Sequence, residues 1–259
     1  MAGHQSQTQL MQRLALLGHP VEHSHSPRLF APLFDTDLLD WSYELIDIAS
    51  PDAFRQQLAQ PDFQGYNVTI PYKRLALELA HQASPRARRI GAANTLYRDS
   101  EGQWVAENTD YDGFLAQFNQ GLLEWDFKPQ LALVLGTGGS AQSVCTVLED
   151  LHIPTLQVSR NPTGSQIAYS DLIEYTQAPC LMVNCTPVGM WPQTQASPLA
   201  SLQGIGPTCA LIDLIYNPAQ TALMQQFEER GLWNRNGALM LEVQAKAAWE
   251  HFRRHTRLS

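Results

Sequence analysis

The chain has no excess of basic residues and no long apolar run, and each absence excludes a class of function. Its 259 residues include 17 Lys and Arg against 25 Asp and Glu, which gives a formal net charge of −8. Because a nucleic-acid-binding surface requires clustered excess Lys and Arg, we expect no nucleic-acid partner. No stretch reaches the length of a membrane span, and residues 1–10 lack the apolar run of a signal peptide, so we expect no membrane partner.

Cysteine is also scarce. The four cysteines form no C-x-x-C pair: Cys145, Cys180, Cys185 and Cys209. Their spacing favours buried thiols in a reducing cytoplasm over disulfides or zinc ligands. His19, His23 and His25 lie close together, but no carboxylate or cysteine accompanies them at a usual ligand spacing. We therefore predict a cytoplasmic protein without a bound metal, whose partner is a small molecule.

Residues 131–141, LALVLGTGGSA, are typical of a buried strand, a glycine turn and the start of a helix. Gly136, Gly138 and Ala141 match the G-x-G-x-x-G/A pattern, in which the glycines permit a tight turn and close approach of a pyrophosphate. The phosphates then lie at the positive end of the helix. The candidate cofactor-binding residues of this loop are Gly136, Thr137, Gly138, Gly139, Ser140 and Ala141. A tight turn without a ligand is the alternative.

The next predicted strand, residues 155–158, bears on the choice of cofactor. About 20 residues after such glycines, an acid binds the ribose 2′-OH of NAD, whereas an arginine accommodates the 2′-phosphate of NADP. Arg160 occupies this position, between Ser159 and Asn161, so the residues favour NADP and its reduced form NADPH. NAD is not excluded, because no second basic residue follows in residues 162–166.

Two serines follow a strand predicted at residues 14–17. Pro27 is typical of the first turn of a helix, so we expect Ser26 near the N-cap of that helix. The Ser24 and Ser26 hydroxyls, close to a helix N-terminus, can hold a carboxylate. The alternative for Ser26 is a cap without a ligand.

A second polar group surrounds a short strand predicted at residues 68–70, which a proline ends. Lys73 follows that strand and precedes a helix predicted over residues 75–83. Since α/β proteins place ligands beyond their strand ends, we expect Lys73 to join Asn67 and Thr69 in a site. A solvated surface lysine is the alternative.

Further polar residues lie at the ends of later strands. Asn94 precedes one strand, and Asp110 follows a return strand predicted at residues 103–106 and precedes a helix predicted over residues 114–123. From residue 131 onward, strands alternate with helical segments, a pattern that predicts a parallel sheet with right-handed crossovers. The predicted fold class is therefore α/β.

Taken in order, these stretches resemble the shikimate dehydrogenase family. The matching segments are SHSP (24–27), NVTIPYK (67–73), AANT (92–95), NTD (108–110), GTGGSA (136–141), SRN (159–161), NCTPVGM (184–190), IDLIYN (212–217) and Gly237 with Gln244. The resemblance extends over nearly the whole chain from residue 14. Its spaced order is far more specific than a glycine motif.

The resemblance implies two domains. Residues 1–110 plus 236–259 would form an α/β substrate-binding and catalytic domain, and residues 111–235 a Rossmann-like, doubly wound NADP-binding domain. It also implies an oxidoreductase of aromatic amino-acid biosynthesis that reversibly reduces 3-dehydroshikimate to shikimate. We expect a monomer or a homodimer.

The resemblance also assigns roles to residues. Lys73 and Asp110 match the catalytic pair of the family. The positions that match substrate-binding residues are Ser24, Ser26, Asn67, Thr69, Asn94, Tyr216 and Gln244. The positions that match cofactor-binding residues outside the glycine loop are Ser159, Arg160, Asn161, Thr186, Gly237 and Met240.

Two residues depart from the family pattern: Leu239 stands where the family has glycine, and Asn161 where it commonly has Thr or Ser. Two other functions remain open: a quinate/shikimate-type dehydrogenase, and a non-catalytic protein that senses a metabolite of the pathway. Retention of both Lys73 and Asp110 argues against the sensor, because a sensor needs no proton donor.

Overall fold

The computed structural model describes residues 11–37, 40–125 and 128–256, so the expectation for residues 1–10 lies outside the described part. The chain divides into two compact units. The first comprises Met1–Ala87, Ala93–Glu107 and Ala245–Ser259, and the second comprises Arg88–Ala92 and Asn108–Gln244. The assignment of substrate and cofactor to separate domains, with the boundaries given above, stays a prediction.

The described residues of the first unit form a mixed six-stranded sheet. Its strands are β1 (Gln12–Gly18), β2 (Trp41–Asp47), β3 (Phe63–Val68), β4 (Gln82–Ala83), β5 (Thr95–Arg98) and β6 (Trp104–Glu107). Their order is β2-β1-β3-β5-β6-β4, with β1 parallel to β2 and β3, and β5 antiparallel to β3 and β6. Since β1 and β3 are parallel neighbours, their carboxyl ends lie at the same edge of the sheet.

The helices of the first unit are α1 (Ser26–Phe34), α2 (Pro51–Leu58) and α3 (Lys73–Leu79), and α4 (Pro85–Ile90) has residues in both units. Two predictions were wrong here. The strand expected at residues 68–70 ends at Val68, because the chain then turns, with the Tyr72 N–H bonded to Thr69 O. The helix expected over residues 75–83 begins at Lys73 and ends at Leu79, because Gln82–Ala83 pairs with β6 instead.

The described residues of the second unit form a parallel six-stranded sheet. Its strands are β7 (Leu131–Leu135), β8 (Thr155–Ser159), β9 (Ile167–Ala168), β10 (Cys180–Asn184), β11 (Cys209–Asp213) and β12 (Asn234–Asn236). Their order, β12-β11-β10-β7-β8-β9, is the Rossmann order. Successive strands are added on one side of β7 up to β9, and from β10 onward they are added on its other side. The predicted α/β class and Rossmann-like fold are confirmed.

The described residues of the second unit form several helices, and the first of them begins earlier than its sequence predicted. They are α5 (Asp110–Glu124), α6 (Gly139–Asp150) and α7 (Ala222–Glu229), while α8 (Ala238–His255) has residues in both units. Helix α5 starts four residues before Phe114, the predicted first residue, since Asp110 and Asp112 place carboxylates in its first turn. Negative charge there interacts favourably with the helix dipole, so residues typical of loops can begin a helix.

The described cysteines are free thiols. Cys180 and Cys209 are buried, as predicted, whereas Cys145 and Cys185 are only partly buried. Burial raises the pKa of the Cys145 thiol to about 11. Among the described helices, none is long and apolar enough to cross a membrane.

Candidate active site

The two serines of the first unit lie together in the loop between β1 and α1. Ser24 Oγ donates to Ser26 Oγ at 3.0 Å and accepts from the Ser26 N–H at 3.2 Å. The N-cap of α1 is His25, without a side-chain cap bond, so Ser26 is the first helical residue and not the cap. Two adjacent hydroxyls at the N-terminus of a helix suit the binding of a carboxylate.

The loop after β3 lies against the loop after β1. The His19 N–H donates to Ile70 O at 2.9 Å, and the Thr69 N–H donates to Leu17 O at 2.9 Å. A Cβ on Gly18 would lie only 2.3 Å from Thr69 Cγ2. The structure therefore brings Thr69 to the serine-bearing loop, as expected for the ends of adjacent parallel strands.

Asn67 and Asn94 form the amide part of the site. Asn67 Nδ2 lies 3.5 Å from Asn94 O and 3.4 Å from Thr95 Oγ1, and both asparagines are buried. The Tyr43 hydroxyl donates to Asn67 Oδ1 at 2.8 Å and so orients this amide. Tyr43 could not be predicted from the sequence, because its partner is set by the pairing of β2, β1 and β3 and not by a local motif.

Lys73 follows β3 and the turn after it. It is the first residue of α3, and its side chain is buried, at 9 % exposure. The alternative of a solvated surface lysine is therefore wrong. Lys73 O accepts from the Ala93 N–H at 2.8 Å, which ties the start of α3 to the segment that carries Asn94. A positioned ammonium of this kind can act as a general acid.

Asp110 and Gln244 belong to the second unit, on α5 and α8. A Cβ on Gly113 would lie 2.6 Å from Met240 O and 3.1 Å from Gln244 Cβ, so the glycine permits close packing of the two helices. Gln117 Oε1 accepts from the Met240 N–H at 3.2 Å one turn further along. Asp110, three residues before Gly113, is on the same side of α5 and is buried. Gly113 had no predicted role.

The glycine loop connects β7 to α6 as predicted. Gly136 has a φ of +104°, a conformation that favours glycine, and Ala141 is fully buried in the core beneath the loop. Gly138 is the N-cap of α6, with an extended backbone. A Cβ on Gly138 would have no described atom within 4 Å. The loop therefore leaves open space at the helix N-terminus, which fits a pyrophosphate.

Arg160 follows β8 and is exposed, next to Asn161, whose N–H donates to Ser159 Oγ at 3.2 Å. Burial raises the pKa of the Tyr169 phenol, and the charge of Arg160 opposes this shift. Tyr169 thus lies within electrostatic reach of Arg160. An exposed guanidinium at this strand end fits the 2′-phosphate of NADP.

The remaining cofactor and substrate candidates follow β10 and β11. Thr186 lies next to the glycine loop, since a Cβ on Gly136 would lie 3.2 Å from Thr186 Cγ2. Tyr216 is partly buried in the loop after β11. A Cβ on Gly237 would lie 2.2 Å from Leu214 O, so only glycine fits there. Met240 is buried in the core of the unit.

Two buried polar residues of the second unit were also missed. Asn184 and Asp213 end β10 and β11 as paired neighbours, and both are fully buried. Asn184 Nδ2 donates to Asp213 Oδ1 at 3.0 Å, and Asn184 Oδ1 accepts from the Thr186 hydroxyl at 2.7 Å. The sequence signal for such a pair is a single polar residue that ends an otherwise apolar strand.

The histidine-rich loop pairs with a carboxylate instead of assembling a metal site. His19 Nδ1 lies 2.6 Å from Asp47 Oδ1, and Asp47 Oδ2 accepts from the Val21 N–H at 3.3 Å. Among residues 11–37, 40–125 and 128–256, no cluster of three or more His, Cys, Asp or Glu could hold a metal ion.

A Rossmann-ordered sheet with this glycine loop, in one chain with a buried lysine at the start of a helix, is typical of a dinucleotide-dependent oxidoreductase. Residues 16–96 match the family model described as the shikimate dehydrogenase substrate binding domain. A shikimate dehydrogenase (NADP(+)) of Thermosynechococcus vestitus is 36 % identical, over 95 % of this chain and 90 % of the relative. The corresponding protein of Synechocystis sp. is 34 % identical, over 91 % of this chain and 88 % of the relative.

A solved structure indicates the same family as the sequence relatives. A shikimate 5-dehydrogenase of Thermus thermophilus, in complex with NADP(H) and shikimate, is 33 % identical and has a TM-score of 0.78, with 93 % of each chain covered. The chain therefore belongs to the shikimate dehydrogenase family.

Proposed function

We propose that the chain is an NADP-dependent shikimate dehydrogenase, which reversibly reduces 3-dehydroshikimate to shikimate in aromatic amino-acid biosynthesis. The observation that carries this proposal is the buried Lys73 at the start of α3, whose backbone is bonded to the segment that carries the buried Asn94. A relative that is 33 % identical over 93 % of this chain has been solved with NADP(H) and shikimate, which supports the same pair of ligands here.

The polar side chains of the candidate site are of types that can hydrogen-bond the carboxylate and the hydroxyls of shikimate. Ser24 and Ser26 bind the ring carboxylate, with Tyr216 near it. Amides both donate and accept hydrogen bonds, as ring hydroxyls do. The residues proposed to bind those hydroxyls are Asn67, Thr69, Asn94, Asp110 and Gln244. A site built to pair with hydroxyls rejects analogues that lack them, because its own buried polar groups are then left unpaired.

Lys73 and Asp110 form the proposed catalytic pair. During reduction, Lys73 donates a proton to the carbonyl oxygen of 3-dehydroshikimate, and during oxidation it accepts the proton of the corresponding hydroxyl. Asp110 assists as its carboxylate partner. Lys73 belongs to the first unit and Asp110 to the second, so their pairing is part of the proposal. Such acid–base assistance accelerates a reaction by roughly 10² to 10⁴.

The second unit is proposed as the NADP domain and the first as the substrate domain. When bound, NADPH supplies the hydride for the carbonyl carbon. The loop 136–141 holds the pyrophosphate at the start of α6, where Gly138 leaves open space. Arg160, with Ser159 and Asn161, holds the 2′-phosphate. Thr186, Gly237 and Met240 lie on the nicotinamide half of the sheet, around β10 to β12.

An absorbance assay of NADPH oxidation with 3-dehydroshikimate tests the proposal. It is repeated with NADH, and in the reverse direction with shikimate or quinate plus NADP⁺ or NAD⁺. We expect the highest kcat/KM with the shikimate and NADP pair. A higher kcat/KM with quinate would identify a quinate dehydrogenase instead. Saturable binding of NADPH and shikimate without turnover of any pair would indicate a sensor.

A cell compartment and an assembly state complete the proposal. The reducing environment that suits four free cysteines favours the cytoplasm. A monomer or homodimer is proposed, and sedimentation velocity of the purified chain distinguishes the two.

A further inference from the structure

Asp213 is a buried carboxylate to which the proposed reaction gives no role. It ends β11 and is fully buried. In a Rossmann sheet, the strands on this side of the switch point support the nicotinamide half of the dinucleotide. A buried carboxylate is costly unless hydrogen bonds satisfy it. The partners of Asp213 therefore indicate what it does.

Three donors from three segments converge on this carboxylate. Thr221 Oγ1, at the N-cap of α7, donates to Oδ2 at 2.7 Å. Asn184 Nδ2, at the end of β10, donates to Oδ1 at 3.0 Å, and the Ile215 N–H, in the loop after β11, donates to Oδ1 at 3.1 Å. Asp213 thus fixes the ends of β10 and β11 and the start of α7 relative to one another.

Two of these partners, Asn184 and Ile215, are hydrogen-bonded to proposed cofactor-binding residues. Because Asn184 donates its Nδ2 to Asp213, its Oδ1 faces Thr186 and accepts from the Thr186 N–H at 3.0 Å and hydroxyl at 2.7 Å. Ile215 O accepts from the Gly237 N–H at 3.1 Å. The third partner, Thr221, is bonded to α7 instead: its Oγ1 accepts from the Met224 N–H.

We propose that Asp213 is a positioning residue that holds Thr186 and Gly237, through Asn184 and Ile215, in the geometry that hydride transfer requires. This inference rests on the proposed NADP-dependent function. Asp213 is fully buried beneath the loops after β10 and β11, so we assign it an effect on the arrangement of those loops. A displacement of about 1 Å in such an arrangement can lower a rate by about 10²-fold.

The groups around Asp213 are hydrogen-bond donors, so its carboxylate oxygens act as acceptors. Burial raises the pKa of Asp213 to about 6, while the bonds from Thr221, Ile215 and Asn184 oppose the rise. The neighbouring elements present an amide from β10, a hydroxyl from α7 and Asn236 in register on β12. The nearby cation of β12, Arg235, pairs with Glu124 instead.

Three variants test the inference in the full chain. Asp213→Ala removes both acceptor oxygens, and we expect kcat to fall about 10- to 100-fold with a much smaller change in the KM for shikimate. Asp213→Asn keeps an oxygen towards Asn184 and Ile215 and can donate to Thr221, so we expect it to restore kcat to within about 3-fold of wild type. Thr221→Val removes only the bond that leads into α7, and we expect kcat within about 3-fold of wild type.

Hydrogen exchange provides a readout that needs no turnover. In Asp213→Ala, we expect faster amide hydrogen exchange in the peptides that contain Thr186 and Ile215. In Thr221→Val, we expect the same peptides to exchange at the wild-type rate. If Asp213→Ala and Thr221→Val lose kcat equally, or if exchange at Thr186 does not change in Asp213→Ala, the inference is wrong. If the wild-type protein itself does not turn over 3-dehydroshikimate with NADPH, the proposed function is refuted. The hydrogen-exchange result would still decide whether Asp213 orders these loops.

Discussion

Gly138→Ala should weaken cofactor binding without destabilising the chain. In the structure, Gly138 has φ −76° and ψ −178°, which any residue adopts, and an added Cβ would have no described atom within 4 Å. The methyl group would therefore fill only the space that we assign to the pyrophosphate.

The expected magnitudes follow from the position of Gly138 at an N-cap. Alanine is a poorer N-cap than glycine by a few tenths to about 1 kcal/mol, whereas its smaller entropy in the unfolded chain stabilises by about 0.4–1 kcal/mol. These effects nearly cancel, so we expect the free energy of unfolding to stay within about 1 kcal/mol of wild type. Loss of close pyrophosphate contact should weaken NADPH binding about 10- to 100-fold, equivalent to about 1.4–2.7 kcal/mol.

Gly136→Ala is the matched control. Gly136 has φ +104°, and a Cβ would lie 3.2 Å from Thr186 Cγ2, so alanine there strains the folded chain itself. Urea unfolding of the unliganded proteins and fluorescence titration with NADPH separate the two effects. Wild-type affinity in Gly138→Ala would refute the assignment of the pyrophosphate to this space, as would a loss of stability as large as that of Gly136→Ala.

Other substitutions probe the remaining assignments. Arg160→Gln should weaken NADPH binding about 10-fold or more with little effect on NADH, and equal losses for both cofactors in titrations would contradict its 2′-phosphate role. Ser26→Ala should raise the KM for shikimate more than it lowers kcat, and steady-state kinetics with an unchanged KM would exclude a role in carboxylate binding. Asp213 should make stability fall as the pH rises from about 4 to about 6, because its native pKa of about 6 exceeds the unfolded value of 3.8, so that the native state holds the proton more tightly there. Between pH 4 and pH 7 this loss is roughly 2 kcal/mol, and urea unfolding of Asp213→Asn at the two pH values should lack it. An identical pH dependence in both proteins would contradict the buried carboxylate.

Features that depend on local patterns could be predicted from the sequence. The apolar run at residues 131–135 and the glycines after it define a strand and a turn by themselves, and β7 has those bounds. The position of Lys73 beyond a strand end was also visible, although that strand ends at Val68 and not at residue 70. Side-chain chemistry and strand ends therefore predict a site around Lys73, even where element boundaries were wrong.

Features that depend on pairing between distant segments could not be predicted. Tyr43 orients Asn67 only because β2 and β3 flank β1, and Asp213 meets Asn184 only because β10 and β11 pair in register. Gly113 matters because a helix more than a hundred residues later packs against it at Met240. No local motif encodes these neighbours, so they emerge only from the folded chain.

The comparison of Lys73→Ala with Arg74→Ala tests the proposed chemistry most directly. Lys73 is buried in the candidate site, whereas the neighbouring Arg74 is exposed on the same helix. With 3-dehydroshikimate and NADPH, we expect Lys73→Ala to lose roughly 10² to 10⁴ in kcat while it still binds shikimate in calorimetric titration, and Arg74→Ala to keep wild-type turnover. Largely intact turnover in Lys73→Ala would contradict its role as the proton donor.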